Sequence, residues 1–355
     1  MRRWVGGAAA LVCLLMAAAT ALALIETDEW WIRVLDFPRL QIAALLAVAL
    51  VVYWVTRPRG TASLLVAVLS AVALGWQVWM ILPYTALWPQ QMVAAEACTP
   101  EQRVRFLMAN VLQDNRSSGG LLAIVEETDP DIILLTEIDQ WWARELAGLE
   151  DTHPHTILEP LSNTYGMGLY SRFPLNGGEI RYILDEEVPS ILSRIVLPNG
   201  AGFSLWGVHP SPPRPGDDTD ERDAELLIVA KEAAEAPVPA IVAGDLNDVA
   251  WSSTTTLFQE ISGLLDPRIG RGLYPSFNAD WPLMKWPLDH LFASEEWTLN
   301  DFRRLEDIGS DHYPIMVDLC LQPEAAARQD GEQAEPEDLR EAEEHIEEGR
   351  EAADE

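Results

Sequence analysis

Residues 240–247, AIVAGDLN, decide how the chain folds: a short apolar run rich in strand formers ends in Gly244, Asp245 and Asn247. Such a run, closed by turn formers, predicts a buried strand that delivers polar side chains to one end of a sheet. Working outward, the same arrangement recurs along the chain. VRFLMANV (104–111) reaches Asn110, DIILLTEI (131–138) reaches Glu137 and GFSLWGVH (202–209) reaches His209. GMGLYS (166–171) is a further short run, LDHLFAS (288–294) opens on Asp289, and PIMVDLCL (314–321) follows the Asp311-His312 pair of GSDHYP. LLAIVEET (121–128), WWARELAGL (141–149) and DAELLIVAKEAAEA (223–236) carry helical spacing instead. Strands and helices in this mixed order predict two packed sheets flanked by helices, not a doubly wound parallel sheet.

Any one of these polar residues is weak support for a site. An Asn or Asp at a strand end is usually a turn former, and a lone His is usually structural. Their joint recurrence at strand ends is what a single site built from distant segments would produce.

Composition narrows the possibilities. The chain of 355 residues carries 56 acidic against 24 basic residues, a formal charge of -32. That balance opposes sequence-independent nucleic-acid binding, which depends on basic side chains displacing counterions. An acid-rich surface suited to high salt is an equally good account of the charge. Lysine occurs only at Lys231 and Lys285, and Cys13, Cys98 and Cys320 lack the spacing of a zinc site.

Three runs, Trp4 to Ile25, Leu40 to Thr56 and Thr61 to Leu82, are nearly free of charge and approach the ~20 residues that cross a bilayer. Residues 1–90 therefore read as a multi-pass membrane anchor with three transmembrane helices, 103–321 as a catalytic domain and 322–355 as an acidic disordered tail or a loose solvated helix. Arg2 and Arg3 precede the first run, ETDE follows it, and RPR (57–59) joins the second to the third. The positive-inside rule then puts the N-terminus inside and the catalytic domain outside the cell membrane. A cleaved signal peptide is the alternative reading of the first run, and it leaves the domain on the same side.

GDLN with the late SDHYPI resembles the endonuclease/exonuclease/phosphatase family over about residues 103 to 321. The resemblance implies a DNase-like, four-layer α/β/β/α sandwich, here preceded by the three transmembrane helices. It implies that Asn110, Glu137 and Asp311 hold a divalent cation, magnesium first and manganese as the alternative. It makes Asp245 and Asn247 the pair that positions and activates water. Asp289 orients His312 against the phosphate, and His209 stabilises the phosphate or protonates the leaving group. SRFP (171–174) also matches the family, with Arg172 as a substrate-binding or supporting residue. The chemistry is self-consistent: hard oxygen donors suit magnesium, and no thiolate or histidine cluster favours zinc.

One departure is Leu112, where many nucleases of the family carry an acidic residue, and it puts a second metal position in doubt. It leans toward the membrane-anchored bacterial branch that includes the teicoplanin-resistance proteins, which implies an outward-facing site and a phosphorylated, lipid-linked substrate such as an isoprenoid phosphate. A membrane-anchored nuclease and a non-catalytic membrane scaffold are the competing readings. In the family's fold the first and last strands are antiparallel neighbours, which brings Cys98 and Cys320 to one edge and implies a disulfide. Trp141 and Trp142 are expected to pack their helix on the sheet. Trp281, Leu283, Met284 and Trp286 in SFNADWPLMKWPLDH read as core cover first, and as an apolar rim touching lipid second.

Overall fold

The structure is a computed structural model that describes residues 2–25, 27–56, 60–216 and 218–354. In chain order its helices and strands are α1 (Arg2–Leu22), α2 (Trp30–Arg33), α3 (Arg39–Thr56), α4 (Thr61–Ile81), β1 (Arg103–Asn110), α5 (Gly119–Thr128), β2 (Ile132–Thr136), α6 (Gln140–Glu145), β3 (His155–Glu159), β4 (Met167–Ser171), β5 (Leu175–Tyr182), β6 (Pro189–Val196), β7 (Gly202–Val208), α7 (Asp220–Ala234), β8 (Ala240–Asp245), α8 (Ser253–Ser262), β9 (Asp289–Ala293), β10 (Trp297–Arg304), β11 (Ile315–Leu321) and α9 (Pro336–Ala353).

The strands form two sheets, ordered β10-β11-β1-β2-β4-β3 and β5-β6-β7-β8-β9. Alternation along the strands sorts their side chains between layers. Phe106, Met108 and Leu134 from the first sheet meet Ile191, Phe203, Leu205 and Ile241 from the second. Leu107, Ala109, Ile133 and Leu135 face outward and are covered by Leu121 and Val125 of α5 and Trp142 of α6. Trp206, Val208 and Val242 face α7 and α8 through Leu226, Leu227 and Phe258. The result is the expected four-layer α/β/β/α sandwich.

Local chemistry explains the elements that flank the site. Asp139 caps α6 by accepting from the backbone N–H groups of Trp141 and Trp142 at 2.9 and 3.0 Å, and this seats Trp142 fully in the core. Ser252 caps α8 by accepting from Thr255 N at 2.9 Å, and Gly263 closes it in the left-handed conformation.

The tail departs from the expected disordered segment or loose solvated helix. Glu335 and Asp338 form a capping box, and α9 buries Ala342 and Ile346 against the apolar cluster under α7. Two apolar side chains four residues apart suffice, because they land on one helix face. Gly349 completes the fit: a Cβ there would lie 2.3 Å from the Ala224 Cβ.

Three helices are long and apolar enough to cross a membrane, Arg3–Leu22, Arg39–Thr56 and Thr61–Tyr84. They pack on one another through Leu46, Ile42 and Ala73, while Trp54, Val48, Leu64 and Val72 point outward. A helix apolar on all sides suits a lipid environment. Gly6 of α1 lies against Thr56 of α3, so the start of the first span is level with the end of the second. At the opposite end, Arg33 is ion-paired to Asp223 and Asp248 at 3.3 and 3.7 Å, and the Tyr84 hydroxyl donates to the Ala250 carbonyl. The sandwich domain therefore docks on the end of the bundle away from the first residues of α1. Of the residues used above to orient the bundle, Glu26, residues 57–59 and the Arg2 side chain lie outside the described residues.

One buried acid gives a stability prediction. Burial pushes the Glu225 carboxyl up to about 7, against the hydrogen bond it accepts from Ser190. A folded-state value above the ordinary 4.5 means that stability is full below about pH 4.5 and is lost as pH rises through about 7. Glu225→Gln should therefore leave stability near pH 4.5 little changed and gain on the order of 2 to 3 kcal/mol above pH 7.5. Denaturant midpoints of the full chain in detergent, measured across that range, check this. An advantage that does not grow with pH refutes it.

Candidate active site

Sheet register brings the polar strand ends together. Asp245 pairs directly with Asp289 across β8 and β9, and Asn110 pairs with Thr136, one residue before Glu137. β7 runs parallel to β8 and ends just before His209. β11 runs antiparallel to β1, which puts the preceding Asp311-His312 pair beside Asn110. Ser310 fixes that approach: its hydroxyl donates to the Asn110 carbonyl at 2.8 Å and accepts from His312 N at 3.0 Å.

Asp245 is the centre of the cluster. Its Oδ1 accepts from Asn247 N at 3.0 Å, while its Oδ2 accepts from Asn110 Nδ2 at 3.1 Å and lies 3.5 Å from His312 Nε2 and 3.8 Å from His209 Nε2. Asn247 has a φ of 51°, a left-handed turn that Asn tolerates, and its Nδ2 donates to the Pro210 carbonyl at 2.9 Å. Asp289 Oδ2 is 2.8 Å from His312 Nδ1, and its backbone N–H donates to the Ser276 hydroxyl. Although they stand at strand ends, Asp245 and His312 are buried, at 1% and 4% exposed. Neighbouring strands and Phe277, whose ring lies 4.9 Å from that of His312, close over them. The cleft opens instead at the half-buried Glu137, Asn247 and Asp311.

Charge is unevenly held. Burial alone would neutralise His312, but Asp245 and Asp289 outweigh it and push its pKa up to about 10. His209 has no such pair. Burial lowers it to about 4, against the charge of Asp245, which favours the neutral ring. Burial raises Asp311, against the charge of His312, and Glu137 and Asp245 both add repulsion. Burial also raises Glu137, against hydrogen bonds from the Gln113 backbone and the Asn110 amide, with Asp245 adding repulsion.

These carboxylates suit a cation. Asp311 Oδ1 is buried and has no hydrogen-bond partner among the described residues, although buried polar atoms are ordinarily satisfied. Glu137 Oε1 accepts from Asn110 Nδ2 at 2.9 Å and its Oε2 accepts from Gln113 N at 3.0 Å. Asp245, Asp289 and His312 also place ligand atoms within 4.8 Å of one another. There Nδ1 of His312 is committed to Asp289, whereas Glu137 and Asp311 offer only the hard oxygen donors that an ion such as magnesium prefers. Asn110, expected as a metal ligand, turns its nitrogen toward Glu137 and Asp245, and its Oδ1 accepts from Leu112 N at 2.9 Å. In this arrangement it is the amide that separates two carboxylates.

Arg172 is not part of this cluster. It pairs with Asp129 and Asp131. Because β4 runs antiparallel to β2, Ser171 lies beside Ile132, so Arg172 falls at the far end from Glu137, roughly 20 Å away at 3.3 Å per residue. It braces the loop between α5 and β2. Sequence reasoning missed Ser310, Ser276, Gln113 and Phe277. Only Ser310 carried a signal, as the residue before Asp311. It also missed Arg222, which donates to the Asn247 carbonyl at 3.1 Å and ties the turn to α7.

Residues 107–312 match the model of the Endonuclease/Exonuclease/phosphatase family. Among curated proteins nothing matches the chain. Similar solved structures include a D. rerio TDP2 humanized by 14 mutations, with a TM-score of 0.52 and 16% identity over 61% of this chain and 99% of that one. An endonuclease/exonuclease/phosphatase from Beutenbergia cavernae DSM 12333 has a TM-score of 0.51 and 19% identity over 62% of this chain and 72% of that one. The human Nocturnin catalytic domain with bound sulfate has a TM-score of 0.51 and 16% identity over 64% and 97%. These likenesses concern the fold.

Proposed function

The chain belongs to the endonuclease/exonuclease/phosphatase family, and from that premise we propose that it is a magnesium-dependent hydrolase of phosphoester or pyrophosphate bonds acting at the outer face of a membrane on a lipid-linked phosphate. The observation that carries the hydrolase reading is the convergence of Asp245, Asn247 and the Asp289–His312 pair beside the unsatisfied Asp311 oxygen. Asp245 is held by Asn247 N through Oδ1 and by Asn110 Nδ2 through Oδ2, which fixes the carboxylate that takes a proton from water. His312, held charged by its two carboxylates, stabilises negative charge on phosphoryl oxygens. His209, neutral, donates a hydrogen bond without adding charge. Glu137 and Asp311 would hold the metal, which supplies charge neutralisation on the phosphate.

Three apolar helices support a membrane location, and the charge of the loops supports the outward orientation. The net charge of -32 disfavours a nucleic-acid polyanion as substrate and favours a phosphate delivered within the membrane. The resemblance to the teicoplanin-resistance branch supports the same reading.

Phosphate release by the full chain, measured with magnesium on DNA, sugar phosphates, phospholipids and isoprenyl pyrophosphates, tests the proposal. A lipid phosphate should be the preferred substrate. Preference for DNA would replace this reading with the nuclease, and inactivity on every class would leave a scaffold. In the same assay Glu137→Gln should raise the magnesium concentration for half activity by roughly 10- to 100-fold, the scale of a weakened metal site. An unchanged requirement removes Glu137 from the metal.

A further inference from the structure

The loop between Phe277 and Trp286 divides its apolar residues in two. Phe277 and Trp286 turn inward, stacking with centroids 6.0 Å apart, and join the cluster of Tyr84, Trp251 and Leu288 between anchor and catalytic domain. Trp281, Leu283 and Met284 turn outward and are 63%, 82% and 38% exposed. With Pro282 they form four consecutive exposed residues. Core packing accounts for the first pair and leaves the outward group without a folding role.

Its position gives that group a partner. Gln41, in the first turn of α3, donates to the Leu283 carbonyl at 2.8 Å. Trp286 packs edge-on against Phe37, two residues before α3 begins, at 5.8 Å. The exposed tip is therefore level with the entry of a membrane-spanning helix. Trp76 and Trp79 of α4 lie near the same end and are 38% and 57% exposed, and Trp31 is 46% exposed in α2. Tryptophan gathered at one level of a helical bundle marks the boundary between hydrocarbon and headgroups. Lys285, one of only two lysines in the chain, follows the apolar tip and donates to the Tyr313 hydroxyl at 2.5 Å, and the Arg304 guanidinium lies 4.3 Å from the same ring. Apolar residues at the tip with cations just behind them match the order of acyl chains and lipid phosphates.

We propose that Trp281, Leu283 and Met284 insert into the bilayer beside α3, with Lys285 and Arg304 on the headgroups, so that the loop fixes the cleft at the membrane surface. The link to the site is direct. Ala279 N donates to the Asp311 carbonyl at 2.7 Å, and Phe277 lies against both His312 and Trp286. This inference rests on α3 crossing the membrane, but not on catalysis.

The test uses the full chain in nanodiscs of phosphatidylcholine and phosphatidylglycerol, in a Cys13→Ala background that keeps the Cys98–Cys320 bridge. A polarity-sensitive fluorophore is attached at Leu283→Cys, and in separate samples at Val48→Cys within α3 and at Glu186→Cys on an exposed loop of the catalytic domain. Both substituted loop positions are exposed, so folding is not at stake. The Leu283 probe should show blue-shifted emission and quenching by lipids spin-labelled at a shallow acyl position, and the Glu186 probe should show neither. A water-like Leu283 probe beside a lipid-buried Val48 probe overturns the insertion and leaves the span intact. Water-like emission at both overturns the insertion together with the span.

Discussion

Asp245→Asn and His312→Gln should each lower turnover by at least roughly a hundredfold while leaving the thermal midpoint close to that of the parent. Burial dictates these near-isosteric substitutions. Asp245→Ala would strip partners from Asn110 Nδ2 and Asn247 N at once, so a loss of activity could reflect collapse of the cleft. Asparagine retains an acceptor for one of them, gives up the other, and removes the negative charge and the proton affinity at nearly unchanged shape. Glutamine at His312 can still reach Asp289 but carries no charge, so the prediction isolates what the imidazolium does for a phosphoryl group. Asp289→Asn should fall between, because it weakens the orientation and charge of His312 without touching the cleft. The assay is single-turnover phosphate release at saturating magnesium, with a denaturation curve for each variant. Near-parental turnover by Asp245→Asn would end the water-activation role.

How much of this was legible beforehand depended on contact range. Strands that are buried throughout, such as Ile132–Thr136 and Ala240–Asp245, were readable because burial on both faces leaves a nearly continuous hydrophobic run up to the polar end. β5 was not. It is an edge strand with an exposed centre and a bulge at its glycines, so neither alternation nor burial shows in its residues. β3 is another edge strand, half-buried along its whole length. α8 was hidden by its threonines, although Ser252 and Gly263 bracket it as a cap and a stop. The site residues could be listed from their strand-end positions, since a strand's end is local information. Which end of the sheet Arg172 occupies is not local: it depends on β4 running antiparallel to β2. The same limit hid Arg33, which reaches Asp223 across a separation of 190 residues and Asp248 from farther still.

Replacing both cysteines, Cys98→Ser with Cys320→Ala, should cost on the order of 3 to 5 kcal/mol in the chain-entropy model. The implied bridge is present: Cys98 and Cys320 are joined with Cα atoms 5.8 Å apart across a separation of 222 residues. Its place in the fold explains the expected size. β1 and β11 pair from Arg103 opposite Cys320 to Met108 opposite Ile315, and the bridge lies just beyond the Arg103 end of that ladder. The Asn110 and His312 end carries the site, so the covalent tie and the catalytic groups occupy opposite ends of the same strand pair. Closing so long a loop restricts the unfolded chain, while the ladder already holds the native ends together. The loss should therefore appear in stability and leave the geometry at Asp245 untouched. For a domain of this size it corresponds to a fall in thermal midpoint on the order of 10 °C. Reductant should produce the same fall in the parent and none in the double variant. Parent turnover per folded molecule should be retained by the variant at 20 °C, well below either midpoint. Unchanged thermal midpoints would show that the β1–β11 ladder and the packing of Val104, Phe106 and Val317 hold this edge without the covalent tie.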